Sequence, residues 1–144
     1  MDDFFLQLFQ RNEKRLNSIG ENIDHERFKN EVLMPLTKQQ EVWYRRFDCT
    51  RMRLENNVVK MNYKNINIIE GSYSMHHDLI GYYDYKIALK ISSDIQTKRI
   101  IKRNGIDMFE RFKDIWIPME NDYFKFFKIY EQADIVLDNT DIEI

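Results

Sequence analysis

Apolar positions recur along this chain with two periods, and the changes between them mark out its elements. Asp24 stands where a helix N-cap belongs, Glu26 falls in the first turn, and Phe28, Val32, Leu33 and Leu36 follow at helical spacing. This predicts a helix from Asp24 to about Lys38, bent or ended early by Pro35. Glu41 to Cys49 alternates as a strand does, and Cys49 to Asn62 reads as a hairpin turning at Asn56-Asn57. Ile66, Ile68 and Ile69 then run into Glu70-Gly71, the profile of a buried parallel strand that delivers a carboxylate at its carboxyl edge.

The second half alternates in the same way. Asp84 to Ile91 is a predicted strand with Ile87, Leu89 and Ile91 on one face and Lys86, Ala88 and Lys90 on a partly covered other face. Ser93 with Gln96 reads as a capping box, opening a helix that an αL stop at Asn104-Gly105 closes. From Asp107 the chain is helical and aromatic, with Phe109, Phe112, Trp116, Tyr123, Phe124 and Phe127, and Pro118 divides it into two helices. Ala133 to Leu137 predicts a last parallel strand. Residues 10 to 22 are polar and read as a surface loop or a short amphipathic turn. Strands separated by helices give an α/β fold with a mainly parallel sheet flanked by helices and a small β-hairpin excursion. The expected organisation is a single domain over 1–138 and an acidic, flexible tail over 139–144.

Composition narrows the function classes. The 144 residues are of one-domain size, and a net charge of −2 gives no bulk attraction to nucleic acid or to an anionic membrane. No apolar run is long enough to span a bilayer and no signal peptide opens the chain, which reads as cytoplasmic. The single cysteine, Cys49, excludes an internal disulfide framework and reads as a buried structural thiol. His25 reads as a surface histidine. Tyr73, His76 and His77 do not suggest a metal site, because neighbouring histidines diverge and no further ligand lies at binding distance in sequence. Lys98, Arg99, Lys102 and Arg103 make two like-charge pairs four residues apart on one helix, a small repulsion that an anionic partner would relieve.

Taken together, Met1-Asp2-Asp3-Phe4-Phe5, Asn22-Ile23-Asp24-His25-Glu26-Arg27-Phe28, Tyr44 to Cys49, Glu70-Gly71-Ser72-Tyr73-Ser74, Arg99 to Gly105 and Trp116-Ile117-Pro118 resemble, in this order, the uridine kinase-like P-loop kinases. The resemblance extends from Met1 to about Leu137 and implies a P-loop NTPase-like sheet. It implies ATP-dependent phosphorylation, with Mg²⁺, of a hydroxyl on a nucleoside or similar small alcohol. Asp2 matches the base that takes the proton of the attacking hydroxyl, and Asp24 the acid that orients the acceptor. Tyr44 and Phe47 match the wall of the acceptor pocket, with Glu70 an acid near the metal or the substrate. Arg99 and Arg103 match the charges set against the transferring phosphoryl group. The family's pyrimidine-reading histidine has no counterpart after Asp48, where Cys49, Thr50 and Arg51 stand. The acceptor therefore stays open.

One part of the family pattern is missing. No Gly-x-x-x-x-Gly-Lys-Ser/Thr sequence occurs, so nothing supplies the backbone nest, lysine and hydroxyl that hold ATP and Mg²⁺. The expectation is a chain lacking the first strand, P-loop, helix and second strand, inactive alone, and representing the acceptor-binding and lid portion of a kinase. The other reading is a non-catalytic binding or scaffold module derived from one. Strand edges left open by the missing segment, together with the aromatic helices, make self-association an expectation as well.

Overall fold

The computed structural model describes residues 2–140. The expected acidic tail falls, from Asp141 onward, outside the described residues; Asn139 and Thr140 are described and hydrogen-bonded, Asn139 N–H donating to the Lys90 carbonyl at 2.7 Å. The architecture is mixed α/β, with two two-stranded sheets and several helices among the described residues. The chain divides into two compact units, Met1–Tyr83 and Asp84–Ile144.

In the first unit a short helix, α1 (Glu13–Leu16), interrupts the polar stretch. Asp24 then caps the next helix as expected, its carboxylate accepting from the Arg27 N–H at 3.1 Å. That helix runs as α2 (His25–Phe28), a π turn (Lys29–Leu33) and α3 (Met34–Thr37), with right-handed backbone at both junctions. Pro35 does not end it. A proline has no N–H to give and its ring clashes with the carbonyl four residues back; widening the preceding turn relieves that clash. The Met34 N–H accordingly reaches back to Lys29.

β1 (Val42–Asp48) and β2 (Arg53–Met61) form the expected antiparallel hairpin, but the turn lies at 49–52 and not at Asn56-Asn57. Asp48 decides this. Its carboxylate accepts the N–H groups of Thr50 and Arg51 at 2.9 and 3.0 Å, closing the chain on itself, and Met52 takes the left-handed conformation with φ 54°. Asn56 and Asn57 lie in a bulge, where the register moves from Arg45 opposite Val58 to Phe47 opposite Leu54. The asparagines mark an irregularity of the strand, which composition does not distinguish from a turn.

The Ile66–Ile69 run is not a strand. Ile66 and Ile68 are 81% and 86% exposed, and only Ile69 packs against the core. An extended segment becomes a strand when a neighbour pairs its N–H and C=O groups, and no strand pairs with this one among the described residues. The core of the unit is Phe4, Phe28, Val32, Leu33, Val42 and Leu79, with Leu36, Tyr44, Tyr82 and Tyr83 packed against it. Each large apolar side chain so enclosed contributes about 1.5–3 kcal/mol.

The second unit carries the parallel pair, β3 (Ile87–Lys90) with β4 (Ile135–Asp138), in the register Ile87 to Ile135 through Lys90 to Asp138. The last strand is thus parallel, as expected, but the expected facing is reversed. Ala88 is buried, while Ile87 and Leu89 are 53% and 59% exposed. Of the lysine face, Lys86 is tied at 3.0 Å to Asp134. Between the strands run α4 (Ser93–Asn104), α5 (Ile106–Arg111), a second π turn (Phe112–Trp116), α6 (Ile117–Phe126) and α7 (Ile129–Gln132). The helix begins after Ser92 with no side-chain cap, so the expected capping box at Ser93 is absent. Gly105 supplies the stop at φ 82°, but with ψ 167° it lies outside the αL region, in backbone open essentially to glycine, and also precedes α5. Pro118 does not divide the aromatic helix: as at Pro35, a π turn comes just before it and the helix continues. Tyr123 is fully enclosed against Phe124 and Phe127, at ring-centre distances of 5.7 and 5.3 Å.

Candidate functional site

Three segments distant in sequence meet in the first unit. The N–H of Asp24 donates to the Phe4 carbonyl at 2.8 Å, and Phe5 forms an isolated antiparallel bridge with Ile23. The Phe47 N–H and the Arg27 Nη2 both donate to the Asp3 carbonyl, at 3.0 and 2.7 Å. Asp-Asp-Phe-Phe, the start of α2 and the end of β1 are therefore fixed on one another through backbone groups. Sequence reasoning missed the residue at their centre. Arg27 is buried and contacts Asp24 Oδ2 at 3.3 Å, Glu31 at 3.2 Å and the Arg45 carbonyl at 2.8 Å, using the forked donors of a guanidinium on three elements. Its place three residues after a helix-capping acid was the available signal.

The carboxylate that this frame presents is Asp3. Its Oδ2 accepts the Tyr44 hydroxyl at 2.9 Å and lies 3.4 Å from Arg46 Nε, while the side chain stays partly open to solvent. Burial, reinforced by the hydrogen bond and charge of Asp3, holds the Tyr44 phenol above its ordinary value. Tyr44 also stacks obliquely on Phe4 at 5.1 Å, and Phe47 is buried beside Phe5 at 6.5 Å. Asp2 is exposed at the start of the segment. Asp24 is enclosed, both of its oxygens engaged by Arg27. Glu70 is exposed at the end of the extended stretch, before Gly71 at φ 140°.

Arg99 and Arg103 lie in the second unit. Arg99 Nη2 donates to the Asn139 carbonyl at 2.9 Å, tying α4 to the residue after β4, and Arg103 Nε donates to Asn104 Oδ1 at 2.7 Å. Lys98, Lys102 and Arg103 are exposed. Cys49, expected to be buried, is exposed in the hairpin turn. Its thiol is pushed up by partial burial and by the charges of Asp2 and Asp48, which makes it a weak nucleophile.

The histidines depart furthest from expectation. His25 is buried, not a surface residue, and its ring stacks on that of His76 with centres 4.1 Å apart and planes 21° apart. His77 lies 4.2 Å from His76, so all three histidines of the chain are gathered in one place. Glu21 joins them, its Oε2 3.0 Å from His25 Nε2 and its Oε1 3.5 Å from His76 Nε2. Asp78 lies 3.4 Å from His25 Nδ1 and from His77 Nε2. Burial, with the neighbouring charges of His25 and His77, lowers His76 to about 4, so it is neutral at physiological pH. One residue each of Glu21, His25 and His76 offers a donor atom within 4.8 Å of the others. Only Glu21 and His25 share a local spacing; His76 arrives through the fold.

Neither a protein-family model nor a curated protein matches the chain. No helix among the described residues is long and apolar enough to cross a membrane.

Proposed function

We propose that this chain is the acceptor-binding and lid portion of a uridine kinase-like phosphotransferase of P-loop NTPase-like architecture, which phosphorylates a hydroxyl of a nucleoside or similar small alcohol. The observation that supports this reading is the meeting of Asp2-Asp3-Phe4-Phe5, Asn22 to Phe28 and Tyr44 to Asp48 on the carbonyl and carboxylate of Asp3. These are the segments whose pattern resembles the acceptor side of such kinases.

In this reading Asp2, open to solvent, takes the proton from the acceptor hydroxyl, and Asp3 with Tyr44 and Arg46 forms the polar wall of the acceptor site. Asp24 holds Arg27 and thereby the backbone of Asp3. Arg99 and Arg103, the charges that the resemblance assigns to the phosphoryl group, belong to the second unit, where Arg99 braces the chain after β4. The residues present do not fit the phosphate donor: no glycine-rich loop with its lysine and hydroxyl exists in the sequence. ATP and Mg²⁺ are accordingly assigned to no residue of this chain.

A second reading is a non-catalytic binding or scaffold module, favoured by the enclosure of Asp24, whose oxygens are already used inside the protein. Isothermal titration of the chain with uridine, with a panel of other nucleosides and sugar alcohols, and with ATP-Mg²⁺ separates these. The kinase-derived reading expects a nucleoside or alcohol to bind, Asp3→Asn and Tyr44→Phe to weaken it about tenfold, and ATP-Mg²⁺ to give no heat. Silence across the acceptor panel refutes it in favour of the scaffold, and binding of ATP-Mg²⁺ refutes the missing nucleotide site.

A further inference from the structure

We propose that Glu21, His25 and His76 form a zinc site that clips together the loop before α2, the first turn of α2 and the turn around residues 74–78. This inference stands apart from the phosphotransfer reading: His25 lies in the Asn22 to Phe28 segment, but that reading gives no role to Glu21, His25 or His76.

The donor chemistry is that of zinc: two imidazole nitrogens and a carboxylate. Zinc ligands at about 2.0–2.1 Å in tetrahedral array place their donor atoms about 3.3 Å apart. The Glu21 oxygens lie 3.0 Å from His25 Nε2 and 3.5 Å from His76 Nε2, close to that separation before any ion draws them in. The carboxylate uses one oxygen toward each ring.

The surroundings are arranged as outer partners of a metal site are. Asp78 Oδ2 stands 3.4 Å from His25 Nδ1, which makes no hydrogen bond, so a small shift lets this carboxylate accept the Nδ1 proton of a ligated His25. Arg15 donates to the carbonyls of Glu21 and Ile23 at 3.1 and 3.0 Å, holding the loop that bears the first ligand. Two adjustments accompany ligation. The stacked rings, 21° apart, splay so that their nitrogens converge. A His76 bound through Nε2 carries its proton on Nδ1, so the long bond of 3.3 Å that it accepts from the Asp78 N–H gives way. Zinc binding thus moves the turn at residues 76–78.

The test is titration of the full chain with Zn²⁺ alone, followed by calorimetry, thermal unfolding and the imidazole ¹⁵N resonances. The chain has three histidines, so each resonance is assignable by single substitution. The expected result is one Zn²⁺ per chain, a rise in Tm, and shifts of the His25 and His76 nitrogens with His77 least affected. Glu21→Gln and His25→Ala lower affinity more than tenfold, and Asp78→Asn about tenfold. The resonances of the unsubstituted chain keep the test decisive if a variant fails to fold. Absence of binding refutes the site. So does binding that moves His77 without His25, which would place the ion on the set of buried His76 with exposed His77 and Asp78.

Discussion

The guanidinium of Arg27 stands 4.2 Å from the centre of the Phe4 ring. One face of a buried cation thus rests on an aromatic ring while its edge donates to Asp3, Asp24, Glu31 and Arg45. A lysine keeps the charge but loses the fork and the flat stacking face. Arg27→Lys is expected to lower the unfolding free energy by about 3 kcal/mol, since it leaves buried acceptors unpaired. Urea denaturation measures this, and a loss under about 1 kcal/mol would show that Arg27 is not the anchor of the three segments.

Tyr44 and Asp3 share a single hydrogen bond between a half-buried phenol and a partly open carboxylate. Tyr44→Phe should cost about 1 kcal/mol, the net value of such a bond, while keeping the ring contact with Phe4. Tyr44→Ala should cost more by the loss of that contact. Equal losses in chemical denaturation would mean that the ring contributes nothing.

The pair Arg15 and Glu26 gives stability a definite pH dependence. Two hydrogen bonds of 2.6 and 2.7 Å from Arg15 hold the Glu26 carboxyl at about 2, against burial, which acts the other way. The folded value is depressed, so the contribution is complete above the ordinary carboxylate range and is lost as pH falls from about 4.5 through about 2. The side chain is half exposed, and screening limits the effect to about 1 kcal/mol or less. Glu26→Gln should flatten the acid limb of the stability profile, and Arg15→Ala should return the Glu26 carboxyl resonance to its ordinary midpoint.

Gly105 adopts φ 82° between α4 and α5, and a Cβ placed there would meet nothing within 4 Å. Gly105→Ala therefore carries backbone strain without a clash, and a cost of about 1–2 kcal/mol is expected. A larger loss in thermal unfolding would reveal packing at this junction.

What the sequence disclosed follows from what each signal depends on. The cap at Asp24 and the stripe Phe28, Val32, Leu33 and Leu36 are local, and they appear in the structure with three of the four buried. The strand expected at Ala133 to Leu137 was legible from its apolar run, and it forms at Ile135–Asp138. The Ile66–Ile69 run was equally apolar yet forms no strand, because pairing depends on a neighbour and not on the segment itself. At β3 the alternation was correct and the choice of face was not, since a small alanine is what the covered side accommodates. In the candidate site, the resemblance directed attention to Asp2 and Asp24, but the open hydrogen-bonded carboxylate belongs to Asp3. The histidine group was illegible because His76 is separated from Glu21 and His25 by most of the first unit.

Both prolines inside helices follow a π turn, at Lys29–Leu33 and at Phe112–Trp116. Such a turn holds one residue more than an α turn between the same ends, so each proline is matched to a surplus residue. Deleting a residue from 112–116 alone brings the Pro118 ring against a carbonyl, and deleting one from 117–126 swings everything beyond it by about 100°. Shedding a residue of the π turn together with Pro118→Ala leaves an ordinary α-helix with Tyr123 still turned the same way. The helix can change its length at little cost in one place only, and only by two alterations made at once.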